Sequence, residues 1–108
     1  MTATLDLNAT DRAIVAAILR DTLPAEAKVW VFGSRAKGRA RRGSDLDLAI
    51  DAGRPLTRAE ENTLADQFHE SDLSYTVDVV DLQTVAETFR AIIERDRVPF
   101  GDWPSVCS

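Results

Sequence analysis

The stretch "VFGSRAKGRARRGSDLDLAI" (residues 31–50) joins two apolar segments through a connection rich in glycine and arginine. The first segment, residues 28–32, is short, β-branched and aromatic, and it ends at Gly33. This pattern is typical of a buried strand followed by a sharp turn. The second segment, residues 45–51, alternates between polar and apolar side chains, which predicts another strand. The rest of the fold is built around these two strands.

The second strand carries two aspartates on one face. Asp45 and Asp47 are separated by one residue, so their side chains point the same way, roughly 6–7 Å apart. Their hard oxygen ligands favour Mg²⁺ or Mn²⁺. A carboxylate on a neighbouring strand, about 5 Å across, could complete a two-metal site. Asp78 is the candidate, because it occupies a polar position in the middle of a third, valine-rich strand.

Gly33 and Ser34 follow the first strand directly. Exposed backbone N–H groups at such a turn bind anions, glycine permits close approach, and the serine hydroxyl adds a donor. A triphosphate held there would bring its α-phosphate towards ions on Asp45 and Asp47. The sequence therefore combines a phosphate-binding turn with candidate metal ligands.

Basic charge is concentrated beside this turn. The chain of 108 residues has a formal net charge of −5, yet five lysine and arginine side chains lie within residues 35–42. An overall basic footprint is absent, so we expect no direct nucleic-acid binding. Two interpretations of the basic run stay open. It is a solvated loop, or it steers a triphosphate or contacts an acidic partner, with Arg35 and Lys37 nearest the turn.

The composition is that of one soluble globular domain, with 44% apolar and 29% charged residues. No apolar stretch approaches the length of a membrane span, so we expect a cytoplasmic protein that does not bind membranes. We predict a single domain over residues 1–108, with a core at about 10–96 and an irregular tail at 97–108. Trp103 in this tail either docks on the domain or anchors a partner.

Helices are predicted between the strands. The first covers about residues 10–24, Thr57 and Glu60 have the capping-box spacing of a second, and Thr84 and Glu87 repeat that spacing for a third. The third helix is expected to turn these apolar residues inward: Val85, Phe89, Ile92 and Ile93. The order of elements predicts an α+β (α/β) fold, with a small sheet, helices packed on one face, and the aspartates on the open face.

Other proteins also use a bare Asp-x-Asp pair, including sugar-nucleotide transferases, phosphohydrolases with a nucleophilic aspartate, and calcium loops. Asp45, Asp47 and Asp51 lack the one-three-five spacing and the glycine at position six of a calcium loop. The nucleophilic-aspartate interpretation is weakened because the acidic strand follows the anion-binding turn instead of opening the domain. Only the joint pattern of turn and acids is specific.

That joint pattern, "GSRAKGRARRGSDLDL", resembles the signature of the DNA polymerase beta-like nucleotidyltransferase superfamily, and most closely its minimal nucleotidyltransferases, the MNT group. The similarity spans roughly residues 28–96 and includes "VDVVDL", where Asp78 matches the family's third carboxylate. Asp81 is an alternative, but on a regular strand its side chain falls on the opposite face. The resemblance implies a polymerase beta-like nucleotidyltransferase fold with a mixed sheet.

The resemblance also implies transfer of NMP, with ATP as the expected donor of AMP, to a hydroxyl group, with release of pyrophosphate. It implies two Mg²⁺ ions, with Mn²⁺ as an alternative. Gly33 and Ser34 would hold the β- and γ-phosphates, and Asp45 and Asp47 would carry the ions. Asp78 would ligate one ion and draw the proton from the attacking hydroxyl.

A partner protein is the last implication of the resemblance. Many MNT domains are antitoxins to a HEPN-type ribonuclease toxin, and some transfer AMP to a tyrosine of that toxin, so a hetero-oligomer is expected. Two alternatives stay open. The chain could be a non-catalytic antitoxin that sequesters its partner, or a nucleotidyltransferase that acts on a small molecule.

Overall fold

The computed structural model describes residues 9–24, 26–33 and 45–100. These ranges contain three helices and four strands, in the following order along the chain: α1 (Ala9–Thr22), β1 (Lys28–Phe32), β2 (Leu46–Asp51), α2 (Arg58–Glu70), β3 (Val77–Asp81), α3 (Glu87–Asp96) and β4 (Val98–Pro99). None of the described helices has the length and apolar character needed to cross a bilayer.

The four strands form one mixed sheet in the order β3-β2-β1-β4. β1 runs antiparallel to both β2 and β4, whereas β2 and β3 are parallel. A parallel pair requires a crossover connection, and α2 supplies it. The predicted α+β fold with a small mixed sheet is confirmed.

The main core lies between one face of the sheet and the helices α1 and α2. Strand alternation brings the apolar positions of β1 and β2 to this face, and the apolar stripes of the two helices pack on them. Each such side chain contributes about 1.5–3 kcal/mol when fully buried. The residues at the centre of this core are less than 2% exposed: Val15, Leu19, Val31, Leu46, Leu48, Ile50 and Leu64.

Helix α3 lies on the opposite face of the sheet. Its Ile93 is buried in a second cluster with Phe32 and Ala49, and the rings of Phe32 and Phe89 meet edge to face at 6.0 Å. The expectation of helices on one face therefore holds for α1 and α2 only. Phe89 and Ile92, both predicted to face inward, are 40% and 49% exposed. The helical spacing of apolar residues does not reveal which sheet face a helix will cover.

The start of α3 also differs from the prediction. The N-cap is Ala86, which has no capping hydrogen bond, and the helix begins at Glu87. Thr84 instead belongs to the turn after β3, where its backbone N–H donates to the carbonyl of Asp81 at 3.1 Å. The predicted capping box at Thr84 and Glu87 is wrong, because Thr84 takes part in this turn.

The start of α2 is as predicted. Thr57 is the N-cap, its hydroxyl accepts from the N–H of Glu60 at 3.0 Å, and the Glu60 carboxylate accepts from the N–H of Thr57 at 2.8 Å. Arg54 donates two hydrogen bonds to the same carboxylate, both at 2.8 Å. These contacts lower the pKa of Glu60 to about 2, with the Arg54 hydrogen bond as the largest cause.

The predicted irregular tail contributes a strand. Val98–Pro99 pairs with β1, and the next residue, Phe100, is buried and donates its N–H to the carbonyl of Val29 at 3.0 Å. Proline is tolerated here because β4 is at the edge of the sheet. The prediction of an irregular tail is therefore wrong for Val98–Pro99, which form β4. Residues 101–108, including Trp103, lie outside the described residues.

Asp81 is the one buried charged residue of the described chain. Its carboxylate accepts from the N–H of Leu56 at 2.8 Å and from the N–H of Gln83 at 2.9 Å. It therefore ties the end of β3 to the segment that leads into α2.

We predict that Asp81→Ala lowers the free energy of unfolding by about 1–3 kcal/mol, because it leaves the buried N–H of Leu56 without an acceptor. Asp81→Asn retains one acceptor oxygen and should cost less. Urea unfolding followed by circular dichroism measures both. Equal losses in the two variants would contradict this role for the carboxylate.

Candidate active site

The candidate site lies where β1 ends and β2 and β3 begin. Asp47 on β2 is the register partner of Phe32 on β1 and of Asp78 on β3. Register partners on adjacent strands project from the same face, with the strands about 5 Å apart. The side chains of Asp47 and Asp78 therefore lie next to each other, although 31 positions separate them in the chain.

Gly33 completes this arrangement from β1. Its backbone has a φ of +78°, and a Cβ atom added to it would collide with Oδ2 of Asp47. Glycine is needed here for two reasons, the left-handed backbone conformation and the close approach of Asp47. The backbone at the end of β1 consequently rests against the Asp47 carboxylate.

Negative charge accumulates at Asp47. Its pKa is raised, first by burial, then by the charge of Asp78, and then by that of Asp45. Asp45 precedes β2 and is exposed, Asp47 is half-buried, and Asp78 is exposed. All three predicted carboxylates thus belong to one electrostatic cluster.

The chemistry of these donors fits a divalent cation. Two adjacent carboxylates and a third nearby supply hard oxygen ligands, and a cation would offset the repulsion that raises the pKa of Asp47. Within the described ranges, however, no three histidine, cysteine, aspartate or glutamate side chains already converge as a closed ligand set. The residues fit a metal by their chemistry and by their position at one end of the sheet.

Ser34, Arg35 and Lys37, the other predicted site residues, lie outside the described residues. The four site residues that are described, Gly33, Asp45, Asp47 and Asp78, all occur at the same end of the sheet.

Two other aspartates, at the opposite end of β2 and β3, have structural partners. Asp81 is buried, and its carboxylate accepts hydrogen bonds from two backbone N–H groups. Asp51 accepts from the N–H of Gly53 at 2.9 Å and from the side chain of Gln83 at 2.8 Å. These two bonds are the main reason that the pKa of Asp51 is lowered. On β3, Asp78 pairs with Asp47 and Asp81 pairs with the buried Ile50, so their side chains lie on opposite faces of the sheet.

Two features were missed by the sequence analysis, a cavity between α2 and β3 and a cation–π contact on β1. Glu61 and Ala65 of α2 line a cavity of about 240 Å³ together with Val77, Asp78 and Val79. Their only sequence signal is a spacing of four residues, which puts Glu61 and Ala65 on one face of α2. Separately, the guanidinium of Arg97 lies 4.0 Å from the centroid of the Trp30 ring, on the carboxylate face.

Residues 14–99 match the family described as Polymerase beta, Nucleotidyltransferase. The chain belongs to this family. A relative from Haemophilus influenzae, named as a probable protein adenylyltransferase, MntA, is 45% identical over 93 residues, which is 86% of this chain and 81% of the relative. The chain is a nucleotidyltransferase, and its resemblance to the MNT group is confirmed.

Solved structures agree with the fold. A toxin–antitoxin structure with AMP-PNP has a TM-score of 0.71 and 27% identity, covering 83% of this chain and 72% of the other. A complex of the tri-AMPylated HEPN toxin of Shewanella oneidensis with its MNT antitoxin has a TM-score of 0.64 and 25% identity. The match covers 82% of this chain and 67% of the other.

We predict that Gly33→Ala destabilises the protein more than Gly53→Ala. Both glycines have nearly the same positive φ, +78° and +79°, but nothing lies within 4 Å of a Cβ on Gly53. Gly53→Ala should cost about 1–2 kcal/mol for the backbone conformation alone. The additional loss in Gly33→Ala then measures the contact with Asp47. Equal free energies of unfolding in urea would show that this contact is easily relieved.

We predict that Asp47→Asn raises the thermal midpoint in metal-free buffer at neutral pH. The folded state raises the pKa of Asp47, so folding disfavours its charged form, and neutralising it removes that cost. Asp51→Asn should act in the opposite direction, because the folded state lowers the pKa of Asp51. Scanning calorimetry compares the two variants. A lower midpoint for Asp47→Asn would contradict the electrostatic account.

Proposed function

We propose that the chain transfers AMP from ATP to a hydroxyl of a partner protein, a HEPN-type ribonuclease toxin, and so acts as its antitoxin. The observation that carries the proposal is the register of Asp47 with Asp78, which puts two carboxylates next to Gly33, the residue proposed to begin the phosphate-binding turn. The names of the relatives support the choice of AMP and of a toxin as acceptor.

In this proposal each site residue has a separate task. Gly33, together with Ser34, binds the β- and γ-phosphates of ATP through backbone N–H groups and a hydroxyl. Asp45, Asp47 and Asp78 hold the divalent cations, Mg²⁺ or Mn²⁺, which when bound neutralise phosphate charge and orient the triphosphate. Arg35 and Lys37 attract the triphosphate electrostatically.

The proposed reaction is an in-line displacement. The acceptor oxygen attacks the α-phosphorus of ATP and forms the new P–O bond, while the bond to the bridging oxygen of pyrophosphate breaks. Asp78 accepts the hydroxyl proton. The products are an AMP ester of the acceptor and pyrophosphate. The protein contributes mainly by positioning the two substrates.

The proposal also assigns an assembly. The chain would form a hetero-oligomer with its toxin, as the MNT antitoxin does in the Shewanella oneidensis complex. The expected cytoplasmic location belongs to the same proposal, because the toxin's RNA substrates and ATP are both found there.

Intact-mass spectrometry of the co-expressed toxin, after incubation of the complex with Mg²⁺ and each NTP in turn, tests this function. We expect the toxin to gain the mass of AMP with ATP, and Asp47→Asn to abolish the gain. Asp51→Asn is the matched control, because it is the same substitution on the same face of β2, away from the site, and it should retain transfer.

The alternatives are separate outcomes of this experiment. If the wild-type chain adds no nucleotide yet neutralises the toxin, it is a sequestering antitoxin. If it consumes ATP only when a small-molecule hydroxyl is supplied, the acceptor in the proposal is wrong. Transfer that survives in Asp47→Asn would overturn the assigned site.

A further inference from the structure

The outer edge of β3 is free within the described part of the chain. β3 is the last strand in the order β3-β2-β1-β4, and only β2 pairs with it. The other edge of the sheet ends in a two-residue strand, β4. An open strand edge presents unpaired N–H and C=O groups that can pair with another chain.

The hydrogen bonds to β2 show which backbone groups face outward. Leu46 donates its N–H to the carbonyl of Thr76, and Leu82 donates to Ile50, both at 2.9 Å. Because the direction of the backbone groups alternates along a strand, Asp78 also faces β2, and Val77 and Val79 face the open edge. Val77 and Val79 together therefore offer two N–H and two C=O groups to the open edge.

We propose that the open edge of β3 receives an extended segment of the acceptor protein as an added antiparallel strand, with the acceptor hydroxyl opposite Asp78. This inference rests on the proposed function. Val77 and Val79 would exchange hydrogen bonds with the added strand, so Asp78 would be in the non-hydrogen-bonded position between them. In that position the two Cα atoms are only about 4.5 Å apart and the side chains are closest.

The added side chain would also lie on the correct face. Residues directly opposite each other project to the same side of a sheet, so the hydroxyl would lie on the face of Asp47 and Asp78. α3 covers Phe32 and Ala49 on this face, and Val80 of β3, two residues beyond Asp78, packs against the same cluster. Asp78 is exposed and is not part of that cluster, so entry at the first residues of β3 leads directly to Asp78, the residue proposed to accept the proton.

The cavity beside β3 indicates which residues of the added segment would suit the positions next to the hydroxyl residue. In the added strand, the residues before and after the hydroxyl residue would face α2. There Ala65, Val77 and Val79 form the apolar floor of the cavity, and Glu61 lies at its rim. Glu61 is exposed. The edge therefore suits a segment with a small apolar residue and a lysine or arginine flanking the hydroxyl residue.

The matched pair Val77→Pro and Val77→Ala tests the edge. Both lose the valine side chain, but only proline removes the outward N–H, and proline is tolerated at the first residue of an edge strand. We expect Val77→Pro to transfer AMP to the co-expressed toxin at least about tenfold more slowly than Val77→Ala. ATP binding and the thermal midpoint should agree between the two variants.

The outcomes separate this inference from the proposed function. Transfer by the wild type with equal rates in the two variants would overturn strand addition and leave the proposed function intact. No transfer by the wild type would overturn the proposed function, and this inference with it.

Amide hydrogen exchange gives a second test that does not depend on a variant. Bound toxin should slow exchange at Val77 and Val79, while Asp78 and Val80, already bonded to β2, serve as internal controls. Unchanged exchange at Val77 and Val79 in the complex would overturn the proposal. Protection that grows with the concentration of this chain alone would assign the edge to a second copy, and would overturn it equally.

Discussion

The register of the parallel pair β2–β3 is the constraint on which the rest of the structure depends. It aligns Asp47 with Asp78 while Leu48 and Val79 face the helices on the other side. A slip of one residue in β3 would turn Asp78 into the apolar core and bring Val77 and Val79 to the carboxylate face. The burial that stabilises the sheet therefore also sets the geometry of the site.

The site carries an electrostatic cost that the remainder of the domain offsets. Burial and two neighbouring carboxylates raise the pKa of Asp47, and Gly33 accepts a left-handed conformation to make room for it. The stabilising contacts lie elsewhere, in the α1–α2 core, in the capping box of α2 and at buried Asp81. Among the described residues, Asp47 is the one acid whose pKa is raised, and it lies at the end of the sheet where catalysis is proposed.

The sheet is covered unevenly, and this decides how the site can be reached. α3 packs on Phe32 and Ala49, and β4 pairs with the outer edge of β1. The β3 edge has no such cover among the described residues, and a cavity opens beside Asp78. In the proposed strand addition, this open edge positions the protein substrate.

The sequence was sufficient to predict β2 from the alternation in residues 45–51, and the start of α2 from the capping-box spacing of Thr57 and Glu60. Both features depend on contacts between close neighbours in the chain. The same local pattern identified Gly33, Asp45, Asp47 and Asp78 as candidates. It could not place α3 on the carboxylate face, add β4 to the sheet, or distinguish Thr84 in a turn from a helix cap. Nor could it show that Asp47 and Asp78 are register partners. Those features depend on which distant segments meet, and only packing in three dimensions determines that.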